Sequence, residues 1–157
     1  MAEQVATVVI RPARREDVAE LAAMFASDTL GGHGDTAEVD ALPDYLAAFD
    51  WIEASPDNWL WVAEIEGTVV GTYQSTYLRT LTGRGSSSLT IEAVHTHQHM
   101  RGAGIGTAMI EHGIGQGRAL GVRLVQLMSN AARTDAHRFY ERLGFVRSHA
   151  GFKMKLR

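Results

Sequence analysis

The sequence predicts a mixed α/β domain in which a central, mostly antiparallel sheet is flanked by about four helices. Three observations support this fold class. Runs of β-branched and aromatic residues recur along the chain with the composition of strands. Two of these runs are joined by Glu66-Gly67-Thr68, which is typical of a hairpin turn. A glycine-rich segment then connects a later strand to a helix-forming segment, so strands and helices are mixed along the chain.

Length and composition indicate one domain with a single core, spanning residues 1–157. The chain has no cysteine, which excludes disulfides, a thiolate nucleophile and a cysteine zinc site. No basic and then apolar segment resembles a signal peptide, and no apolar run reaches membrane-spanning length. We therefore expect a cytoplasmic protein with no membrane partner. The net charge of −3, with acids and bases interspersed, argues against a nucleic acid partner.

The N-terminal half predicts a strand, two helices and a hairpin. Residues 5–10 are apolar and β-branched, which indicates a strand, and Glu16 and Asp17 supply an acidic helix start. Pro43 suits the first turn of a second helix with an apolar stripe. The two strands of the hairpin are then expected at residues 59–65 and 69–78.

The C-terminal half predicts a strand that leads into the glycine-rich segment and a helix that leaves it. The expected elements are a strand at 89–96, a helix at 104–120, a strand at 122–128, a helix at 134–143 and a pair of short strands within 145–155. The prediction of a helix at 104–120 is weakened by Gly113, Gly115 and Gly117, because each glycine costs about 1 kcal/mol relative to alanine in a helix interior.

Residues 98–107 are the most informative stretch, because they place three glycines between a strand and a helix. Gly102, Gly104 and Gly106 allow sharp turns and let backbone N–H groups approach a ligand. The N-terminus of the following helix adds its own N–H groups and positive dipole end. Such a loop binds anions, phosphates above all, and Arg101 adds a charged donor.

The glycine-rich segment differs from two known nucleotide-binding motifs. A dinucleotide fingerprint is excluded, because its third glycine would fall at Thr107 and no acidic residue ends the next strand. A P-loop is excluded because the chain has no Gly-Lys-Ser/Thr. A glycine-rich turn without any ligand stays open as the structural alternative.

The loop and a second motif resemble those of a known superfamily. Arg101-Gly102-Ala103-Gly104-Ile105-Gly106 fits the phosphate loop Gln/Arg-x-x-Gly-x-Gly/Ala of the GNAT acetyltransferases position for position. Their second motif, Ala-x-x-x-Tyr-x-x-x-Gly-Phe, is met by Ala136, Tyr140, Gly144 and Phe145. The order of elements also matches: strand, two helices, three antiparallel strands, helix, strand, helix and strand. The sequence therefore resembles this superfamily over nearly its whole length.

The resemblance implies that acetyl-CoA is the co-substrate. It also implies a sheet that splays apart between the strand before the glycine loop and the strand after the loop's helix. The pyrophosphate would lie on the loop, and the pantetheine arm would bond to the backbone of the earlier strand like an added strand. The residues expected to contact acetyl-CoA are Val94, His95, Thr96, Arg101, Gly102, Ala103, Gly104, Ile105, Gly106, Thr107, Arg133 and Tyr140.

Acetyl transfer to an amine requires two proton-handling groups. An alkylammonium with a pKa of about 10.4 must lose a proton, and the leaving CoA thiolate must be stabilised. The resemblance places Tyr140 beside the thioester sulfur, which makes it the acid candidate, with a packed core aromatic as the alternative. Glu92 is a charged residue in an apolar strand, and the resemblance implies that a glutamate on this strand relays the proton of the amine, commonly through water. Glu92 is therefore the base candidate, with an ion pair or a substrate-orienting role as alternatives. His95 or His97 is the other candidate base.

No metal site is expected. His95, His97 and His99 alternate along a strand, but strand residues two apart are about 7 Å apart and no carboxylate completes the set.

The acceptor and the partners are less constrained. Arg133 stands where many members of the superfamily carry a cofactor-contacting asparagine, so it contacts either the cofactor or the acceptor. In the connection at residues 29–42, Asp35, Glu38 and Asp40 favour a cationic amine. A homodimer is left open.

Two other classes of protein were considered. One is a non-catalytic module that binds or senses acyl-CoA, and the presence of both Tyr140 and Glu92 argues against it. The other is a structural domain without a ligand, which leaves the joint match of the two motifs unexplained.

Overall fold

The computed structural model describes residues 6–28, 30 and 33–157, which form one five-stranded sheet with flanking helices. The strands, in sheet order, are β1 (Val8–Pro12), β2 (Asn58–Ile65), β3 (Thr68–Arg79), β4 (Ser87–Thr96) and β5 (Leu124–Leu127). Strands β1 to β4 pair antiparallel, and β5 pairs parallel to β4. The mostly antiparallel mixed sheet expected from the sequence is confirmed.

The helical segments lie on both faces of the sheet. They are α1 (Val18–Ala26), α2 (Leu42–Ala54), the single turn α3 (Thr82–Gly85), α4 (Ile105–Leu120) and α5 (Thr134–Arg142). Helix α4 packs on the face that carries Tyr73 and Ile91. Helix α1 reaches the other face, where the Phe25 ring contacts the His95 ring edge-on at 4.9 Å between centroids. Among the helices described, none has the length and apolarity needed to cross a bilayer.

A buried ion pair joins β1 to the start of α1. Asp17 accepts hydrogen bonds from the Arg11 guanidinium at 2.7 and 3.0 Å and from the Arg14 backbone N–H at 2.7 Å. The hydrogen bonds from Arg11 outweigh the effect of burial and lower the pKa of the Asp17 carboxyl. A carboxylate here therefore satisfies the Arg14 N–H, in the turn Arg15–Asp17 that leads into α1. The acidic helix start read from the sequence is therefore confirmed.

Two expectations at the ends of the chain need correction. The first strand occupies Val8–Pro12 instead of residues 5–10, of which residue 5 lies outside the described residues. The pair of short strands expected within residues 145–155 is wrong, because the structure assigns this segment no regular secondary structure and it is not part of the sheet. Its alternating apolar residues have the period of a strand, but a strand also needs a neighbouring backbone with which to pair.

The glycines of α4 have different environments. An added Cβ at Gly113 would lie 2.6 Å from Ile91 Cδ1, and one at Gly117 would lie 2.8 Å from Val125 Cγ2. Gly115 has nothing within 4 Å of such an atom. Gly113 and Gly117 therefore let α4 approach the sheet closely, which explains why a helix tolerates their low helix propensity.

This difference predicts opposite effects of one substitution at two positions of α4. We expect Gly115→Ala to raise the free energy of unfolding by about 0.5–1 kcal/mol, because alanine stabilises a helix relative to glycine. We expect Gly117→Ala to lower it by roughly 1–2 kcal/mol, because the stiff side chain of Val125 cannot move away. Urea unfolding of both variants measures the difference, and equal effects at the two positions would contradict the close packing of Gly117.

Candidate functional site

Strand β4 contains a bulge at Ala93. Two of its residues, Ala93 and Val94, lie opposite the single residue Tyr73 of β3. Ala93 has a φ of 51°, in the left-handed region that residues with a Cβ rarely adopt. A bulge of this kind bends its strand and disrupts the ladder. The bend lies just beyond the last residue of β4 that pairs with β5, which is Ile91.

Beyond the bulge, one side of β4 has no neighbouring strand. β4 pairs with β5 only from Ser88 to Ile91, whereas β4 itself continues to Thr96. In the described part of the chain, no strand covers residues 92–96 on the β5 side. Backbone N–H and C=O groups on such an edge can pair with an extended ligand. The splayed sheet that the resemblance implied is therefore present.

The loop after β4 has a backbone that requires glycine at two positions. Gly102 and Gly104 have φ values of 83° and 80°, and nothing lies within 4 Å of a Cβ added at either. The positive φ values therefore explain why glycine occupies these two positions. Crowding does not, because the space beside each glycine is open. Helix α4 starts directly after Gly104, and the first N–H groups of a helix have no partner within it. The turn and the helix start therefore bring backbone N–H groups to one place, which is the arrangement that binds anions in other proteins, and we call this loop the anion cradle.

A cleft of about 430 Å³ lies over this loop and ends against α5. Its lining residues are Thr96, Met100, Arg101, Gly102, Gly104, Ile105, Gly106, Thr107, Phe139 and Arg142. Arg101 and Arg142 are both exposed, and neither guanidinium forms an ion pair within the described residues. The cleft therefore places two cationic side chains beside the loop.

Two of these lining residues, Phe139 and Arg142, were not predicted from the sequence. An added Cβ at Gly106 would lie 3.3 Å from Phe139 Cζ, so the third glycine lets α5 approach the loop. Arg142 lies in the last turn of α5, where a cation is ordinary because it complements the helix dipole. Its only sequence signal was its position two residues after the motif tyrosine.

Tyr140 packs against the core and keeps its hydroxyl available. Its ring contacts Phe145 at 6.0 Å and Phe139 at 5.2 Å between centroids. The hydroxyl forms no hydrogen bond with any described residue. Burial raises the pKa of the phenol, and the nearby charge of Arg133 opposes this increase. Packing in the core and a role at the reacting atoms are thus compatible for this residue.

Glu92 is exposed on the face of the sheet opposite α4. Its neighbour Ile91 packs against α4, and successive side chains of a strand point to opposite faces. The carboxylate has no ion-pair partner in the described residues. The structure therefore does not support the alternative in which Glu92 serves only to form an ion pair.

Arg133 is held by a carboxylate that the sequence reasoning missed. Its Nη2 donates to Asp28 Oδ2 at 2.8 Å, and the same oxygen lies 3.9 Å from His95 Nδ1. Burial of Asp28, which is 11% exposed, is the largest single influence and acts to raise the pKa of its carboxyl, but the hydrogen bond and the charge of Arg133, together with the Leu30 backbone N–H, outweigh it and lower the pKa. Asp28 follows the C-terminus of α1, where the helix dipole disfavours an acid, and this was the available signal.

The three histidines do not act as a set. Burial lowers the pKa of His95, and the nearby charge of Asp28 opposes this decrease. His97 Nδ1 accepts a 3.4 Å hydrogen bond from the His99 backbone N–H and so caps the turn Gln98–Met100. Within the described residues, no group of three or more acidic or histidine side chains is arranged to hold a metal ion.

The acids proposed to attract a cation differ in their surroundings. Asp35 is half-buried and accepts a 2.8 Å hydrogen bond from the Tyr45 hydroxyl, whereas Glu38 and Asp40 are exposed. Residues 29, 31 and 32 of the same connection lie outside the described residues.

Solved structures of other proteins share this architecture. A transcriptional regulator from Bacillus halodurans C-125 is 39% identical, with 96% of this chain and all of that chain covered and a TM-score of 0.92. A predicted acetyltransferase from Clostridium acetobutylicum, whose crystal structure was determined with acetyl-CoA, has a TM-score of 0.72 and 18% identity, with 96% and 97% of the two chains covered. The second similarity concerns the fold alone.

Sequence comparison identifies the family of the chain. Aminoalkylphosphonate N-acetyltransferase of Salmonella typhimurium (strain LT2) is 40% identical over 57 residues, which are 36% of this chain and 37% of that relative. The chain thus aligns with little more than a third of that relative's length. A sequence model of the acetyltransferase (GNAT) family matches residues 33–145, more than two thirds of the chain. Because this match includes the glycine loop and extends to Phe145, the chain belongs to the GNAT acetyltransferase family.

Proposed function

We propose that the protein is an N-acetyltransferase that transfers the acetyl group of acetyl-CoA to a primary amine by direct attack in a ternary complex. The observation that carries the proposal is the continuous path from the anion cradle to the open edge of β4. The loop at residues 101–107 presents backbone donors and Arg101, and residues 92–96 extend from it without a neighbouring strand on the β5 side. This path has the two features that a phosphorylated, extended thioester needs.

Each part of the path has its own proposed task. The N–H groups of the loop and of the α4 start bind the pyrophosphate, with Arg101 and Arg142 adding charged donors. The backbone of Val94 and Thr96 pairs with the pantetheine arm. Acetyl-CoA supplies the activated acyl group when it is bound, so the protein's own task is to position it and to handle protons.

The proposed proton handling uses Glu92 and Tyr140. Glu92 takes a proton from the ammonium through water, which frees the nitrogen lone pair. The nitrogen forms a bond to the carbonyl carbon, the carbon–sulfur bond breaks, and the nitrogen loses its second proton to water, which leaves the neutral amide. Because burial raises the pKa of Tyr140 above its ordinary value, its phenol stays protonated and donates a hydrogen bond to the leaving thiolate. A proton from solvent then completes the thiol.

The acceptor is proposed to be a small, cationic primary amine. The exposed carboxylate of Glu92 and the half-buried carboxylate of Asp35 attract an ammonium group toward the end of α1. Arg133 uses one nitrogen to bind Asp28 in the described structure, so its other donors are available to an anionic group on the same acceptor. The aminoalkylphosphonate named for the Salmonella relative combines an amine with such an anion.

Removal of the cations should weaken acetyl-CoA binding. We expect Arg101→Ala and Arg142→Ala each to raise the Kd for acetyl-CoA about three- to ten-fold, because each loses an exposed, charge-assisted contact to phosphate. Isothermal titration calorimetry measures the change. Arg138→Ala is the matched control, since Arg138 lies on the same helix and pairs with Asp135 at 2.9 Å. A weakening by Arg138→Ala equal to the other two would contradict a specific phosphate site.

Turnover should depend on Tyr140 and Glu92 more than binding does. We expect Tyr140→Phe and Glu92→Gln each to lower kcat on the order of 10²-fold, with the Kd for acetyl-CoA changed less than three-fold. Thiol release is measured with a simple alkylamine, a diamine, an aminoalkylphosphonate and a lysine peptide. Tyr77→Phe and Glu111→Gln are the controls of like chemistry. Tight binding of acetyl-CoA by the unmodified chain, with no thiol release for any amine, would favour the non-catalytic acyl-CoA module instead.

A further inference from the structure

A largely buried carboxylate fixes the side chain of Arg133 at the start of α5. Asp28 Oδ2 accepts a 2.8 Å hydrogen bond from Arg133 Nη2, and Asp28 Oδ1 accepts one of 3.2 Å from the Leu30 backbone N–H. Asp28 is 11% exposed and Arg133 is 30% exposed. An ion pair with this little contact to solvent is screened less than a surface pair. Asp28 therefore holds the guanidinium in place.

The backbone of Arg133 is fixed as well. Its N–H donates to the Asn130 carbonyl oxygen at 2.9 Å, and its own carbonyl oxygen accepts a bond from the His137 N–H at 3.1 Å. Arg101 and Arg142, by contrast, form no ion pair with any residue that the structure describes. Of these three arginines, Arg133 is thus the one whose charge is positioned by the protein itself.

Tyr140 lies on the same face of α5 as Arg133. The two residues are seven positions apart, which is close to two helical turns. Helical side chains lean toward the N-terminus of their helix, so the Tyr140 ring extends toward the end of α5 at which Arg133 lies. The Tyr140 hydroxyl forms no hydrogen bond with a described residue. A fixed positive charge therefore lies toward the hydroxyl of the acid candidate.

The electrostatics agree with this geometry. Burial raises the pKa of Tyr140, and the charge of Arg133 opposes this increase. Neighbouring elements carry other charged or titratable groups, which include Asp28 after α1, Glu92 and His95 on β4, His112 on α4, and His137 and Arg142 on α5. As they are placed in the described structure, none of these groups alters the pKa of Tyr140 as Arg133 does.

We propose that Arg133, held by Asp28, is a positioning residue that directs its positive charge at the Tyr140 hydroxyl and so strengthens the hydrogen bond that this phenol donates to the leaving thiolate. A nearby cation polarises the O–H bond. Negative charge develops on the sulfur only as the carbon–sulfur bond breaks, so the effect favours the transition state over the bound substrate. The inference rests on the proposed acetyl transfer. It gives the arginine a task that a neutral asparagine at this position could not perform.

The first test measures the acidity of Tyr140 in the protein without any ligand. The four tyrosines are replaced by 3-fluorotyrosine, Tyr140→Phe identifies the fluorine signal of Tyr140, and its shift is followed against pH. We expect Arg133→Ala to raise the pKa of this phenol, because a favourable positive charge is lost, and Arg133→Lys to restore most of the difference. Arg138→Ala is the matched control on the same helix. An unchanged pKa in Arg133→Ala would overturn the proposal.

Asp28→Asn separates positioning from simple shielding. If Asp28 holds the guanidinium in place, the neutral amide releases it, and the pKa of Tyr140 should rise as it does in Arg133→Ala. If Asp28 only shields the cation, removal of the negative charge should lower the pKa of Tyr140 instead. A decrease, or no change, in a variant with unaltered circular dichroism would overturn the positioning role of Asp28.

Kinetics with a simple alkylamine test the role in turnover, because this acceptor has no anion that Arg133 could bind. We expect Arg133→Ala to lower kcat about ten-fold and to change the Kd for acetyl-CoA by less than about three-fold, with most of the rate recovered in Arg133→Lys. An unchanged kcat with weaker acetyl-CoA binding would make Arg133 a cofactor contact, and an effect confined to an aminoalkylphosphonate would make it an acceptor contact. Either result would contradict the proposal.

The two measurements also separate this inference from the proposed function. An unmodified chain without turnover would defeat the proposed acetyl transfer, and with it the role of Arg133 at the thiolate. The fluorine titration needs no turnover, so it shows independently whether Arg133 acts on Tyr140.

Discussion

The left-handed backbone at Ala93 is the constraint on which the candidate site depends. It lies two residues after Ile91, the last residue of β4 that pairs with β5, and from there to Thr96 β4 has no described strand on that side. A residue with a Cβ at this φ costs on the order of 1–3 kcal/mol, so the surroundings must enforce it. Val94 packs on the core cluster beside the bulge, and the fully buried Tyr73 opposite it lies 2.6 Å from His112 Nδ1 through its hydroxyl. This hydrogen bond between the Tyr73 hydroxyl and His112 fixes the Tyr73 side chain, and burial lowers the pKa of the His112 ring.

Helix α4 then fixes the cradle relative to the bulge. Gly113 and Gly117 allow the helix to approach β4 and β5, so its N-terminus lies where β4 ends. At that N-terminus Gly106 gives space to Phe139, which brings α5 and Tyr140 to the same place. Three physical requirements therefore explain the glycines of this region: positive φ in the loop, close contact between α4 and the sheet, and close contact between the start of α4 and α5. Anion cradle, open edge and tyrosine are held together by packing in the core.

Much of the fold could be predicted from the sequence, because its signals are local. Strand periodicity, the Glu66-Gly67 turn and the acidic start at Asp17 each act over a few residues, and the structure contains all three. The glycine loop and Tyr140 could also be identified, since both lie in contiguous motifs. The partner of Arg133 could not, because Asp28 is 105 positions away in the chain and contacts it only after folding. The prediction of C-terminal strands was wrong for a related reason. Alternation of apolar and polar residues indicates that a segment can form a strand, but it gives no information on which backbone the strand would pair with.

Binding of acetyl-CoA is tested most directly by the backbone amide spectrum of the isotopically labelled protein during titration with this ligand. We expect saturable shifts in two places, at the loop amides of Gly102, Gly104 and Gly106 and at the β4 amides of Val94 and Thr96. Both groups should respond with one common Kd, since one ligand spans the cradle and the open edge. Shifts confined to the loop would show a simple anion site, and shifts that avoid both places would contradict the central claim that the bulge at Ala93 opens the sheet for acetyl-CoA.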